Sequence, residues 1–370
     1  LLEGRISTPV KRAQVALRQR LTGKGITLKS AMRILLPQPI ENEAREMLEK
    51  AGGEVILSPD PKPETVIPLL NTVQGVVLRT GFKVTRESLA RADDLCIIAR
   101  TGLGLDNVDV NAATARDIIV TSNVGVNTTS VVEHALSLML ALAKELPLLD
   151  GEVRKGNFSI RYQNLPIDLE AKTLGLLGFG RIGSTLGRIC RQSFHMKILA
   201  HDPLLPEETA ATYASWVEFV DLKDLLSRSD VISFHVPLTD STRNLLGKRE
   251  ISWMKPGALL INTSRGGTIH EGHLAEALKA GRIKGAGLDV FSEEPIQRDH
   301  PLLNLRNVIL TPHTAALTAE CVVRMATEAA QCVIDLFNGL VPRNVANPAV
   351  LKSERWQHLA PFDVGESSQM

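Results

Sequence analysis

Residues Gly178-Phe-Gly180-Arg-Ile-Gly183 form a G-x-G-x-x-G run, and their surroundings constrain the fold more than any other stretch of the chain. An apolar strand pattern, Leu174–Leu177, leads into the run. A helical pattern with Ile182, Leu186 and Ile189 leads out of it, and a second strand pattern ends at His201-Asp202, 19 residues past Gly183. Strand, tight turn, helix and a second strand ending in an acid make the fingerprint of a dinucleotide-binding βαβ unit. Gly178 permits the turn, Gly180 lets backbone approach a pyrophosphate, and Gly183 lets helix and strand pack closely. Free N–H groups at the helix start and the positive end of its dipole then hold the phosphates. Asp202 would accept hydrogen bonds from ribose hydroxyls and repel a 2′-phosphate, which predicts NAD rather than NADP.

The rest of the chain agrees with an α/β architecture. Strand patterns at Ile34–Leu36, Val55–Leu57, Gly75–Leu78, Cys96–Ala99 and Ile118–Thr121 alternate with helical ones such as Ile40–Ala51. A second alternating block starts near Lys172, with strands at Thr173–Leu177, Lys197–Ala200, Val231–Phe234, Ala258–Ile261, Gly285–Leu288 and Val308–Leu310. This alternation predicts parallel sheets with helices on both faces. Between the blocks, Ser130-Val-Val-Glu133 has capping-box spacing and predicts a helix running to Leu146-Pro147. A last amphipathic helix is expected over Ala319–Asn338, with Gly339 as its stop. The stretch beyond Pro348 reads as an irregular, polar tail.

Composition excludes several classes. Apolar residues at 44% and charged residues at 22% rule out a disordered or collagen-like chain. The most apolar helix is closed by Glu133, His134 and Lys144, well short of the ~20 residues a membrane span needs, so no membrane role is expected. Four cysteines in no metal-like spacing predict reduced, buried thiols and no metal site. Of 42 Lys/Arg and 41 Asp/Glu, seven and one fall in residues 1–31, leaving 35 and 40 for the rest. The body is therefore mildly acidic and no nucleic-acid partner is expected. Residues 1–31 read as a leader or upstream extension outside the fold, with an organellar transit segment as the second reading. A cytoplasmic location follows from the first reading and organelle import from the second.

Three chemistries recur just past strand ends. Leu259–Asn262 runs into Thr263-Ser-Arg265-Gly-Gly267, Ala286–Val290 into Phe291-Ser-Glu-Glu294-Pro295, and Val308–Leu310 into Thr311-Pro-His313-Thr-Ala315. Open α/β sheets build their ligand crevice at such ends. A hydride-transfer site for a keto or hydroxy acid needs these groups. A fixed cation binds the carboxylate, an imidazole exchanges a proton near pH 7, and an acid holds the imidazole. Of the other histidines, His134 reads as structural, and His235 precedes Pro237 at a strand end where it could line a cleft.

These motifs, in this order, resemble the D-isomer-specific 2-hydroxyacid dehydrogenases, and most closely the phosphoglycerate dehydrogenase branch. The resemblance runs from about Met32 to Pro348 and also takes in Arg79–Thr85 and Arg100–Asp109. It implies two Rossmann-like doubly wound parallel-sheet domains with a cleft between them. The substrate domain would be flavodoxin-like and discontinuous, 32–126 with 319–350; the NAD-binding domain would be 127–318, and 351–370 a tail. It implies a homodimer built mainly through the cofactor domains. By position Arg265 resembles the substrate-binding arginine, Glu294 the His-orienting acid and His313 the acid/base. Asp289 resembles the nicotinamide carboxamide contact, Arg181 and Ile182 the pyrophosphate contacts, Val236-Pro237 the adenine-side wall, and Thr263 a nicotinamide-side residue. Arg79, Thr80 and Gly81, with Gly102, Leu103 and Gly104, match the loops that meet the substrate carboxylate. Gly81 lacks a side chain for a phosphate tail, which weakens the phosphoglycerate reading. The activity implied is NAD-dependent interconversion of a D-2-hydroxy acid and its 2-keto acid, with phosphoglycerate, hydroxypyruvate, glyoxylate and lactate-type substrates all open. A non-catalytic NAD(H)-sensing regulator of the same fold is the alternative.

Overall fold

The computed structural model describes residues 32–163 and 165–361, so the expected leader over 1–31 lies outside the described residues. The chain divides into two compact units, one reaching Asn127 and resuming at Ala319, the other spanning Thr128–Thr318. Each contains one parallel sheet.

In the first unit, β1 (Met32–Leu36), β2 (Gly53–Leu57), β3 (Gly75–Leu78), β4 (Ile97–Arg100) and β5 (Ile119–Thr121) alternate with α1 (Asn42–Lys50), α2 (Pro63–Leu70), α3 (Arg86–Leu89) and α4 (Val110–Ala115). The strand order is β2-β1-β3-β4-β5, with every pair parallel. All four residues of β3 and of β4 are buried, as expected for strands covered on both faces.

The second unit opens with α5 (Thr128–Ala143) and α6 (Leu146–Arg154). Then come β6 (Thr173–Leu177), α7 (Arg181–Phe194), β7 (Lys197–His201), α8 (Glu207–Tyr213), β8 (Val217–Phe219), α9 (Leu222–Arg228) and β9 (Val231–Phe234). α10 (Lys248–Trp253), β10 (Leu259–Asn262), α11 (Glu271–Lys279), β11 (Gly285–Leu288) and β12 (Val308–Leu310) complete it. The order is β12-β11-β10-β9-β6-β7-β8, all parallel, and the winding direction reverses between β6 and β9. α5 covers β10 and β11 closely. A Cβ on Gly287 would lie 2.9 Å from Leu138 Cβ, so the glycine sets how near the helix can come.

α12 (Ala319–Phe337) then returns to the first unit. Its Ala326, Ala329, Ala330 and Val333 share a core with Ile34, Val77, Ile97, Ala44 and Leu48. Small residues on that face let the helix lie flat on the sheet.

Three expectations need correction. The helix expected to begin at Ser130 begins two residues earlier. Ser130 is buried, and its Oγ lies 3.3 Å from Thr318 Oγ1 instead of capping. That helix does not reach Leu146, because Glu145 adopts φ +53° and breaks it from α6. The stretch beyond Pro348 is not a loose tail as far as residue 361. Val350 and Trp356 are 2% and 4% exposed in the first unit's core, and Trp356 Nε1 donates to the Asp117 carbonyl at 2.9 Å. A single indole that fills a core gap and finds an acceptor is enough to order a polar segment.

Candidate active site

The glycine-rich turn sits where the second sheet reverses direction. Gly178 has φ +91°, and a Cβ there would lie 2.8 Å from the His235 carbonyl oxygen at the end of β9. On Gly183, a Cβ would overlap the Gly178 carbonyl. The loops after β6 and β9 are thus in contact, and only glycine fits. Phe179, between the glycines, is pinned by Tyr213, Trp216 and Phe219, with ring centroids 5.0, 5.9 and 5.2 Å away. In a sequence with 4% aromatics, this is a concentrated investment in one loop.

Several features fit a dinucleotide. A Cβ on Gly180 would meet nothing within 4 Å, no side chain caps α7, and Arg181 is exposed, while Ile182 packs on the apolar core beneath the turn. The Asp202 carboxylate accepts from Phe179 N at 2.8 Å and Leu204 N at 3.2 Å. A carboxylate has about four acceptor sites, which leaves capacity for ribose hydroxyls. His235 Nε2 and Thr263 Oγ1 are shielded from solvent with no hydrogen-bond partner. Burial pushes the His235 pKa down to about 4, so its ring is neutral beside the turn. Val236 packs against the apolar core beside it, while Pro237 is exposed.

The three groups predicted beyond strand ends come from three adjacent strands, β10, β11 and β12. The geometry that joins them is local. A Cβ on Gly266 would overlap the Phe291 carbonyl, so this glycine lets the loop bearing Arg265 lie against the turn bearing Glu294. Arg265 Nη1 donates to the Ser264 carbonyl at 2.7 Å. Glu294 Oε1 accepts from Phe291 N at 3.0 Å, and its Oε2 lies 2.7 Å from His313 Nδ1. Glu271 braces the same turn, accepting from Ser292 N at 2.6 Å and facing His300 Nε2 at 3.0 Å.

The charges within this cluster act on one another. The hydrogen bond that His313 Nδ1 donates to Glu294 raises the His313 pKa above its ordinary value, against burial and the Arg265 charge, which both lower it. Burial works to raise the Glu294 pKa. The His313 and Phe291 hydrogen bonds outweigh it, and the net shift is downward. The imidazole is about half exposed, its side chain keeping 48% of its accessible surface. With Nδ1 committed to Glu294, Nε2 is the atom open to a substrate.

Asp289, expected to face a carboxamide, is fully buried. Its oxygens accept from Thr311 Oγ1 at 2.5 Å, Thr314 N at 2.8 Å and Ala315 N at 2.8 Å, all within the His313 loop. Glu271 and His300 were not named by sequence reasoning, which read His134 only as structural. For His134 a signal exists: it is four residues before Leu138 and eight before Leu142, on the buried face of α5.

In the first unit, Arg79, Thr80 and Gly81 follow β3, which borders that sheet's own reversal point between β1 and β3. Arg79 Nη1 donates to the Pro39 carbonyl at 3.1 Å and to Glu41 Oε1 at 3.2 Å. Gly81 N donates to Gln38 Oε1 at 2.6 Å, and the Gln38 amide occupies the space a side chain at 81 would need. Asn107 Nδ2 ties down the Arg79 and Phe82 carbonyls at 2.8 and 3.0 Å. Thr80 is exposed. Gly102, Leu103 and Gly104 follow β4, with Gly102 against the buried guanidinium of Arg100, a residue the sequence did not flag.

Comparison with known proteins agrees with this layout. The sequence profile described as "D-isomer specific 2-hydroxyacid dehydrogenase, NAD binding domain" matches residues 136–315. A glyoxylate reductase of Aeropyrum pernix is 37% identical over 86% of this chain and 97% of its own length. The chain belongs to the D-isomer specific 2-hydroxyacid dehydrogenase family. A D-3-phosphoglycerate dehydrogenase of Archaeoglobus fulgidus is 38% identical over 90% of this chain, which spans 62% of that enzyme's length. Among solved structures, D-lactate dehydrogenase from Aquifex aeolicus, complexed with NAD and lactic acid, is 29% identical. Its TM-score is 0.74, covering 83% of this chain and 96% of that one. An acyclic imino acid reductase in complex with NADPH and D-Arg is also 29% identical, with a TM-score of 0.75 over 85% and 99% of the two chains. The second unit is accordingly an NAD(P)-binding domain. No helix among the described residues is long and apolar enough to cross a membrane.

Proposed function

We propose that the protein interconverts a D-2-hydroxy acid and its 2-keto acid with NAD as hydride partner. The observation that carries this reading is the 2.7 Å pairing of His313 Nδ1 with Glu294, whose turn lies against the loop that bears Arg265. Bound nicotinamide supplies the hydride chemistry at substrate C2. Arg265 holds the substrate carboxylate and polarises the C2 oxygen. In oxidation, His313 Nε2 takes the hydroxyl proton; in reduction, the imidazolium returns it. Glu294 keeps Nδ1 protonated and the ring oriented, so the exchangeable position is always Nε2.

The loops at Arg79–Gly81 and Gly102–Gly104 are assigned to substrate on the strength of their place at the first sheet's strand ends. Asp202 supports NAD over NADP, since no Lys or Arg follows it in Pro203-Leu204-Leu205-Pro206. A homodimer is supported by an apolar arm on the second unit. α6 buries no residue, and Phe158, Tyr162 and Leu165 are 63%, 76% and 75% exposed.

NADH oxidation with a panel of keto acids (glyoxylate, hydroxypyruvate, phosphohydroxypyruvate, pyruvate) tests the reading, and turnover of none would sink it in favour of a cofactor-sensing protein. His313→Asn should lower kcat about a hundredfold or more with NADH affinity kept. Asp202→Ala should narrow the ratio of kcat/KM for NAD over NADP; an unmoved ratio removes the ribose assignment.

A further inference from the structure

We propose that His134, acting through Thr311 and Asp289, is a positioning residue that holds the 311–315 loop and so fixes the imidazole of His313. The inference rests on the acid/base role assigned to His313 above.

The hydrogen-bond directions follow from a count of protons. Thr311 Oγ1 donates its only hydrogen to Asp289 Oδ1 at 2.5 Å. It must therefore accept from His134 Nε2, 2.9 Å away, which makes that nitrogen the donor. Nε2 is also 3.5 Å from Asp289 Oδ1. Asp289 passes the constraint on. Its Oδ1 takes Thr314 N–H and its Oδ2 takes Ala315 N–H, each at 2.8 Å, while its main-chain oxygen takes His313 N–H at 2.8 Å. Three consecutive amides, 313 to 315, thus converge on one residue.

That convergence has a reason. His313 is held at φ +53°, in the left-handed region, and such a conformation persists only where the surroundings over-determine it. A fully buried carboxylate with donors on both oxygens supplies the constraint. Its geometry depends on the side from which Thr311 is held, and that side is α5. Gly287 lets Leu138 sit against β11, and His134 lies one turn earlier on the same helix face. A histidine serving only the core would need no hydroxyl and no carboxylate beyond it. This one ends a chain whose other end is the backbone of the acid/base residue.

The test uses Thr311→Val, which keeps volume and removes the hydroxyl, Thr311→Ser, which restores it, and His134→Phe. None alters the charged groups around His313, namely Glu294, Arg265 and Asp289. For Thr311→Val and His134→Phe the expected result is a roughly tenfold lower kcat with KM for the keto acid little changed. The apparent pKa of the kcat profile should shift, and amide exchange at residues 313–315 in ligand-free protein should quicken. Thr311→Ser should return all three readouts toward wild type. Loss of thermal stability with kcat, pH profile and 313–315 exchange unmoved would overturn the proposal. If His313→Asn is inactive while Thr311→Val is normal in all three, the relay is wrong and the function stands. If His313→Asn turns over normally, the acid/base role of His313 fails and the relay fails with it, while a panel of keto acids that are not turned over would sink the function itself.

Discussion

Each unit buries an aspartate, and the two are treated in opposite ways. Asp289, in the second unit, is fully buried with donors on both carboxylate oxygens from a side chain and two backbone amides. Asp335, on α12 in the first unit, is 4% exposed, accepts from Gln331 Nε2 at 2.7 Å, and leaves Oδ2 with no hydrogen-bond partner. Burial pushes the Asp335 pKa up, outweighing that hydrogen bond and the nearby Arg343 charge. A buried charge organises a site only when donors meet it. Asp289 shapes a loop, whereas Asp335 is a cost the unit carries.

The largest break in this comparison should come from Asp289→Asn. The amide turns one acceptor into a donor facing backbone N–H groups, which leaves buried donors unpaired at about 1–3 kcal/mol each. Thermal melting should fall by roughly 6–12 °C for a loss near 3 kcal/mol in a unit of this size, and kcat should fall with it. Unchanged melting would mean that the loop is held by something else.

Glu294 is more exposed than either aspartate, with 37% of its side-chain surface accessible, and it is paired with a titrating partner. Glu294→Gln removes the charge that favours the imidazolium, so the His313 pKa should drop toward its ordinary range. The reductive reaction, which needs the protonated ring, should then lose rate at lower pH than wild type. The oxidative reaction should gain its active base at lower pH too. On the stability side, the raised His313 pKa contributes below the ordinary histidine range and is lost as pH rises through the raised value. The lowered Glu294 pKa contributes above the ordinary glutamate range and is lost as pH falls through the lowered value. Melting across both ranges, compared between wild type and Glu294→Gln, checks both signs.

The smallest effect should be Asp335→Asn, and it should be favourable. A raised folded-state pKa means that stability is lost as pH climbs above the ordinary aspartate range, so the variant should melt slightly higher than wild type at neutral pH. The gap should close as pH falls below that range. A variant less stable at pH 7 would show that the orphan oxygen serves an interaction beyond those described.

Much of the site is legible in the residue order because it depends on spacing along single strands and turns. The strand leading into Gly178–Gly183 and the runs ending at Arg265, Glu294 and His313 carry their meaning within six or seven residues. What is not legible depends on contacts across strands. Nothing adjacent to Asp289 announces that residues 311–315 would occupy its oxygens, and nothing near His134 announces Thr311, 177 residues away. The helix break at Glu145 and the docking of Trp356 are hidden for the same reason. Each is decided by a partner elsewhere, against weak local preferences.

The left-handed backbone at His313 limits what could ever replace its side chain. Asparagine and aspartate tolerate that conformation, but branched and bulky residues do so only at a penalty. A search for a new proton carrier at this position is therefore confined to a short menu before chemistry is considered. Remodelling the reaction would have to begin by rebuilding the loop.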